Sequence, residues 1–398
     1  MRRNALTATA IAIAWVVART LMLLDLWRNG SFITSDVSYY HMALRNPNAA
    51  ALTEYPVPIL WLMRAINAAA SGNYDTFFTI FVAFMVALDA LATVFLFWRV
   101  SVVAAGFWVV FLALLGPIMW FRIDLIPAVA VTFCLIEVAR HPRFSGSMLA
   151  VGAAAKLWPA LLILPLGWKS RDDRRRLVAF GVVGGALALA SLIVTGWQRT
   201  ISPIVWQSQR GLQIESLAAT WAMIKHASPD SNLIVEMSPH NAYEIYGPGV
   251  ATWQTVATVA LAAAVVYTVA LAILLARRHH ARTSYAAVVA VTSVIVAMIA
   301  ADKTFSPQYL IWLAGPLGLT LALAKSRSER RWATVAAALG LATAGVTQLV
   351  FPLMYGGLLG NPIGAADSTA LLVARNALMV TLTLWLMLWA LRSAIKPR

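Results

Sequence analysis

Two carboxylates in a polar stretch of an otherwise apolar chain open the question of chemistry. Asp36 and Glu54 lie in residues 31–58, with Tyr39, Tyr40 and His41 between them. A carboxylate in such a place can take a proton from a hydroxyl as a bond forms to it. Further along, Arg122, Arg210, Lys225 and Lys303 supply cations, and His226 and His240 supply titratable nitrogens. Two of these cations sit in suggestive contexts. In Arg210-Gly-Leu-Gln-Ile-Glu-Ser216 a glycine beside the arginine lets backbone and guanidinium approach an anion, and Glu215 stands where it can orient the arginine or bind a hydroxyl. In Asp302-Lys303-Thr-Phe-Ser-Pro-Gln308-Tyr309, Pro307 sets the start of a helix whose N-terminal donors favour a phosphate. Lone lysines and arginines near a membrane also snorkel to headgroups, so each cation by itself says little.

The elements that carry these residues belong to a membrane protein. Of 398 residues 61% are hydrophobic and 12% charged, with a mean hydropathy of +0.75, far outside soluble domains. The net charge of +15 is spread in short clusters between apolar runs, which reads as topology signals and not as a nucleic-acid surface. On a scale of roughly 20 apolar residues per crossing, full spans are expected at about residues 7–27, 74–98, 102–121, 123–139, 177–196, 251–275, 283–301, 304–324, 332–353 and 370–391. The segment from Gly146 to Trp168 has basic flanks on both sides, Arg140 to Arg143 and Lys169 to Arg176, and is broken at Lys156-Leu-Trp-Pro159. It is expected to be a re-entrant hairpin of two half-helices. The expected fold is therefore an all-α polytopic membrane protein, one membrane domain over 1–398, with ten full spans plus one hairpin.

Most of the 31 Lys and Arg then fall on one side, read as cytoplasmic together with both termini: Arg2, Arg3, Arg99, Arg140, Arg143, the 169–176 run, Arg277, Arg278, Arg282, the 325–331 run and the tail. The opposite face holds loops 28–73, 197–250 and 354–369, and loops 28–73 and 197–250 are expected to build the site. Trp197, Trp206, Trp221 and Trp253 mark the second of these as lying on the membrane, and residues 55–70, with Arg64 inside, as an interfacial helix. Metal binding has little support: Asp172-Asp173 and His279-His280 sit among arginines without ligand spacing. Cys134, in an apolar run, reads as a buried thiol, and one cysteine excludes an intramolecular disulfide.

An outer-face site has no nucleotide sugar or ATP to draw on, so group transfer there needs a donor already across the membrane. A sugar linked to a lipid phosphate meets that need: the phosphate leaves as an anion held by cations, and the incoming hydroxyl needs a carboxylate. Asp36-Val-Ser-Tyr-Tyr40, Glu54-Tyr-Pro, Lys156-Leu-Trp-Pro with Leu164-Pro165, Arg210-Gly-Leu-Gln-Ile-Glu-Ser and Lys303-Thr-Phe-Ser-Pro-Gln-Tyr-Leu, in that order, resemble actinobacterial glycosyltransferase family 87 along the whole chain. That family comprises polytopic GT-C enzymes similar to the polyprenol-phosphate-mannose-dependent mannosyltransferases that extend phosphatidylinositol mannosides and lipoglycans. It commonly reads Tyr-Pro-Pro where this chain has Tyr55-Pro-Val-Pro58. The resemblance implies a polyprenyl-phosphate sugar donor, a glycolipid or envelope-glycan acceptor, inversion at the anomeric carbon, and Asp36 as base.

On that reading Lys303, Arg210 and Gln308 hold the donor phosphate, Glu54, Tyr39, Tyr40 and His41 shape the sugar site, and Glu215 orients Arg210 or binds a hydroxyl. Lys156 contacts the donor or holds the half-helices together. No cofactor and no nucleic-acid partner are expected. Mannose is preferred through the resemblance alone, and arabinose from a similar lipid fits the same inventory. The rival reading is a non-catalytic lipid or solute transporter using the mid-span acids Asp89 and Glu137 as a pathway, and a third is a scaffold in a cell-envelope complex.

Overall fold

A computed structural model describes residues 2–45, 52–167, 170–277, 284–360 and 365–395, with side chains described from Ala5 onward except at 29–31. The basic residues Lys169, Arg278, Arg282, Lys396 and Arg398 and the pair His279-His280 lie outside the described residues, as do the side chains of Arg2 and Arg3. Helices α1 (Arg2–Ile33), α2 (Ser35–Arg45), α3 (Val57–Ala69), α4 (Tyr74–Arg99), α5 (Val102–Leu115), α6 (Leu125–Ile136) and α7 (Pro142–Ala155) lead to a 3-10 segment, Trp158–Leu166. Next come α8 (Arg171–Gln209), α9 (Thr220–His226), α10 (Val250–Ala276), α11 (Ser284–Ala301), α12 (Ile311–Leu323), α13 (Arg327–Gln348), α14 (Tyr355–Leu358) and α15 (Ala365–Ile395). Between α8 and α10 the strands β1 (Leu212–Gln213), β2 (Ile234–Met237) and β3 (Tyr243–Tyr246) form an antiparallel sheet in the order β1-β3-β2.

Among the described residues, seven helices are long and apolar enough to cross a membrane: α1, α4, α8, α10, α11, α13 running on through Leu353, and α15. The chain is a helical, multi-pass membrane protein. Helix α11 is apolar all round, built of Ala, Val and Ile, and is buried along nearly its whole length at the centre. By contrast α8 exposes Val178, Val182, Leu189 and Ile193, the face a membrane protein turns to lipid.

Three of the ranges expected to be full spans hold shorter helices. In 102–121, α5 stops at Gly116, whose φ of 83° ends the helix ahead of Pro117. In 123–139, α6 has 12 residues, a rise of about 18 Å against the roughly 30 Å of a hydrocarbon core. In 304–324, Ser306-Pro307 imposes a 3-10 turn (Pro307–Leu310) before α12. The non-helical backbone between α5 and α6 is buried by protein throughout, as such backbone at membrane depth requires. Gly315 permits this packing: a Cβ there would collide with Thr132 of α6.

The hairpin is broken where expected. Helix α7 ends at Ala155, Lys156 is extended at φ −155° and ψ 135°, and a 3-10 leg follows, with Pro165 inside it. The Arg176 guanidinium donates to the carbonyls of both Val138 and Leu166, so the two ends of the hairpin meet at the same end of the molecule. Residues 55–70 yield the expected short helix, α3.

Loop 197–250 departs from the all-α expectation. Helix α8 turns at Gly196 (φ 75°) and continues to Gln209. The segment beyond it holds the sheet, with Val235 opposite Ile245 and Met237 opposite Tyr243. Alternating β-branched and aromatic residues favour that pairing.

The mid-span acids are fixed in place. Asp89 of α4 receives Arg19 of α1 through Nε at 2.7 Å and Nη2 at 2.8 Å, and the indoles of Trp15 at 2.9 Å and Trp108 at 2.8 Å. These four bonds tie α1, α4 and α5 together inside the protein. Glu137 lies at the end of α6, held by Arg99 at 2.6 Å and by His141.

Candidate functional site

Sequence-distant segments converge on a cavity of about 290 Å³. Helix α2 gives it Asp36 and Tyr39, the turn before α3 gives Glu54 and Tyr55, and Arg122 comes from the buried turn before α6. Lys156 rises from the hairpin break, Arg210 and Glu215 come from the segment after α8, and Gln308 and Tyr309 from the 3-10 turn before α12. The β2–β3 hairpin covers one side with Met237 and His240 to Tyr243, while Phe351 and Tyr355 form an aromatic wall with Phe32.

Asp36 sits in the first turn of α2, where a carboxylate is favoured by the helix dipole. Its Oδ2 is 2.8 Å from Arg122 Nε, and its Oδ1 accepts from Asn241 Nδ2 at 3.3 Å. The carboxylate retains 17% exposure. Burial pushes it above its ordinary value, with Arg122 pulling the other way, so it is a stronger base than a surface aspartate. Glu54 accepts the Tyr39 hydroxyl at 2.8 Å, and its Oε2 is buried with no hydrogen-bond partner among the described residues. Burial raises this carboxyl too, against the Tyr39 bond.

The Lys156 ammonium is 2.7 Å from Asp124 Oδ1 and 4.3 Å from the centre of the Tyr309 ring. Trp312 donates to the same Asp124 oxygen at 2.8 Å and stacks on both Trp158 and Tyr309. A cation held against aromatic faces and one carboxylate keeps part of its field for the cavity. Arg210 donates to Gln213 Oε1 at 3.2 Å, with Glu244 3.8 Å from its Nε. Gln213 in turn donates to Ser306 at 2.6 Å, which joins the Arg210 segment to the turn that carries Gln308.

No protein-family model, curated protein or solved structure matches this chain. The site therefore rests on its own geometry.

Of the residues given a role at the site from the sequence, Asp36, Tyr39, Glu54, Lys156, Arg210, Glu215 and Gln308 line the cavity, and so do the further candidates Arg122 and His240. Three with an expected role do not, nor do Lys225, which lies over the Trp221 ring, and His226, which bonds the Leu233 carbonyl. Tyr40 is buried beneath the cavity, its hydroxyl 3.3 Å from that of Tyr55. His41 packs between Tyr74 and Phe77 with Nε2 3.1 Å from the Gly72 carbonyl, so it holds α2 onto α4. Lys303 donates to the carbonyls of Ser208 and Arg210. Its charge caps the end of α8 instead of facing the cavity.

Four partners escaped the sequence reading: Asn241 on Asp36, Asp124 as the anchor of Lys156, Tyr355 in the wall, and Arg375 on Glu215. Asp124 and Arg375 carried a signal, because each is a charge within or at the end of an apolar run. Asn241 and Tyr355 carried none, since only tertiary folding brings them near.

Glu215 is 1% exposed, and its Oε2 receives Arg375 Nη2 at 3.3 Å. Burial pushes its carboxyl from 4.5 to about 7, against the attraction of Arg375. A carboxyl raised on folding binds more protons in the native than in the unfolded chain, so its contribution to stability is whole below about 4.5 and is lost as pH rises towards 7. Asp36 and Glu54, also raised, act in the same direction. Thermal melts between pH 4.5 and 7.5 are expected to show the midpoint falling with pH, and Glu215→Gln is expected to flatten the part of that fall nearest neutrality. An unchanged slope in the variant would mean that Glu215 is ionised throughout.

Proposed function

We propose that the chain is a membrane glycosyltransferase of the GT-C type, taking a sugar from a polyprenyl-phosphate donor and passing it to a glycolipid or envelope-glycan acceptor. The observation that supports this reading is the shared cavity: the partly exposed Asp36 carboxylate faces the same space as the cations Arg122, Lys156 and Arg210. Asp36 takes the proton of an acceptor hydroxyl, the freed oxygen attacks the anomeric carbon from the face opposite the phosphate, and the carbon–oxygen bond to phosphate breaks. The electron pair leaves with the lipid phosphate, and the anomeric configuration inverts. Arg210 and Lys156 hold the developing phosphate charge, with Gln308 at the turn beside them. Arg122 fixes the Asp36 carboxylate in place. Glu54, with Tyr39 on one oxygen and the other unpartnered, is placed to accept a sugar hydroxyl.

In this reading both termini are cytoplasmic and the cavity opens to the outer face, where a lipid-linked donor is the available sugar source. Mannose is the preferred sugar and arabinose the alternative. The transporter reading has no comparable support, because Asp89 and Glu137 are each held by fixed donors.

The test is a transfer assay with purified protein in lipid nanodiscs, offering polyprenyl-phosphate mannose or arabinose with a glycolipid acceptor. A product of increased mass formed from one of these donors, and not from a nucleotide sugar, is expected. Arg210→Gln is expected to weaken donor use by about tenfold, the scale of one charge-assisted hydrogen bond of about 1.5 kcal/mol. No product from either lipid-linked sugar would reject the proposal.

A further inference from the structure

At the other end of α8 lies a second concavity that takes no part in the proposed transfer. The straight part of α8, residues 171–195, rises about 37 Å and separates this region from the cavity that Gln207 and Arg210 help to line. The groove runs between the first turns of α7 and one face of α8, with a volume of about 490 Å³. Its polar end is formed by Arg143, Arg171 and Arg174, with Ser147 beside them. Its wall continues along α8 as Val178 and Val182, 58% and 66% exposed.

The arginines are not consumed by the protein. The acids beside them in the sequence are Asp172 and Asp173, and each is already paired with a different residue: Asp172 at 2.9 Å with Arg175, which also lines the groove, and Asp173 with Arg176 at 2.9 Å. The side chains of Arg143, Arg171 and Arg174 have no hydrogen bond or ion pair among the described residues, and all three are exposed. A count of basic residues is enough for membrane topology and needs no shape. Here the charges converge on a concave site, and α7 and α8 are in close contact beneath it because a Cβ at Gly146 would collide with the Arg176 carbonyl.

We propose that this groove binds an anionic phospholipid. Guanidinium groups take the headgroup phosphate through paired hydrogen bonds, and the adjoining valine face takes the first acyl-chain segments. A free phosphate would use the arginines alone, whereas a bound lipid spans both the arginines and the adjoining valine face that α8 turns to lipid. Basic pockets between spanning helices are suited to such headgroups.

The experiment measures lipid retained by the full-length protein in mixed micelles by native mass spectrometry, with phosphatidylglycerol and phosphatidylcholine as probes. Preferential retention of phosphatidylglycerol is expected, falling at least tenfold in Arg143→Gln/Arg174→Gln. Arg327→Gln/Arg330→Gln, which removes equal charge from exposed positions on α13, is expected to leave retention unchanged, and thermal melts are expected to show both variants folded. Equal retention of the two lipids, an equal loss in the α13 variant, or displacement of phosphatidylglycerol by millimolar inorganic phosphate would each overturn the proposal.

Discussion

Asp36→Asn is expected to lower the rate of sugar transfer by about 10²- to 10⁴-fold, the usual contribution of a general base, while the protein still folds and still binds donor. The amide is nearly isosteric and keeps its oxygen for Arg122, while its NH2 can donate to the Asn241 side-chain oxygen once that amide flips, so the local scaffold of α2, the turn before α6 and the β2–β3 hairpin survives. What is lost is the basic oxygen. The signature is a fall in kcat with little change in KM. In the unsubstituted protein kcat/KM should rise with pH as the base ionises, with that limb lying above 3.8 because burial raises Asp36. Glu54→Gln is the necessary comparison. If Glu54 only orients sugar, its loss costs at most about tenfold, one hydrogen bond's worth. A larger loss in Glu54→Gln than in Asp36→Asn would exchange the two roles.

Arg19→Leu is expected to give the largest loss of stability, about 3–5 kcal/mol, because it strands a buried charge. Asp89 and Arg19 are 0% and 4% exposed, and without the guanidinium the carboxylate keeps only the indole donors of Trp15 and Trp108. The thermal midpoint in detergent should fall clearly, with transfer parameters unchanged at temperatures where the variant is folded. Arg19→Leu/Asp89→Leu should recover part of the loss but not all, since both indoles then lack an acceptor. A midpoint unaltered in Arg19→Leu would show that these four bonds carry little of the packing of α1.

Membrane residence and the hairpin were readable because they depend on local pattern. Hydropathy located the apolar runs, and Lys156-Leu-Trp-Pro159 marked the break between α7 and the 3-10 leg. Span lengths were less readable, since Gly116 ends α5, and Ser306-Pro307 delays the start of α12, inside runs that hydropathy joins together. The β2–β3 hairpin was missed because four-residue strands in a polar loop leave a weak period.

At the site, polar residues stranded between apolar runs identified several of the cavity-lining groups. The same criterion also selected His41 and Lys303, whose side chains contact backbone carbonyls and do not line the cavity. Type and position along the chain do not say which way a side chain faces. Arg19 and Arg375 had the opposite fate: each was hidden in a presumed span, and each pairs with an acid that the sequence had already exposed as unusual, Asp89 and Glu215.

On the proposed function, a lipid-linked sugar sits in the cavity beside Asp36. The most direct measurement is an experimental structure with a bound polyprenyl-phosphate sugar or its unreactive analogue. The phosphate is expected within hydrogen-bond distance of Arg210 or Lys156, with the anomeric carbon between that phosphate and the Asp36 side. A lipid phosphate seated elsewhere, for example among Arg143, Arg171 and Arg174 with the Asp36 cavity empty, would contradict that placement.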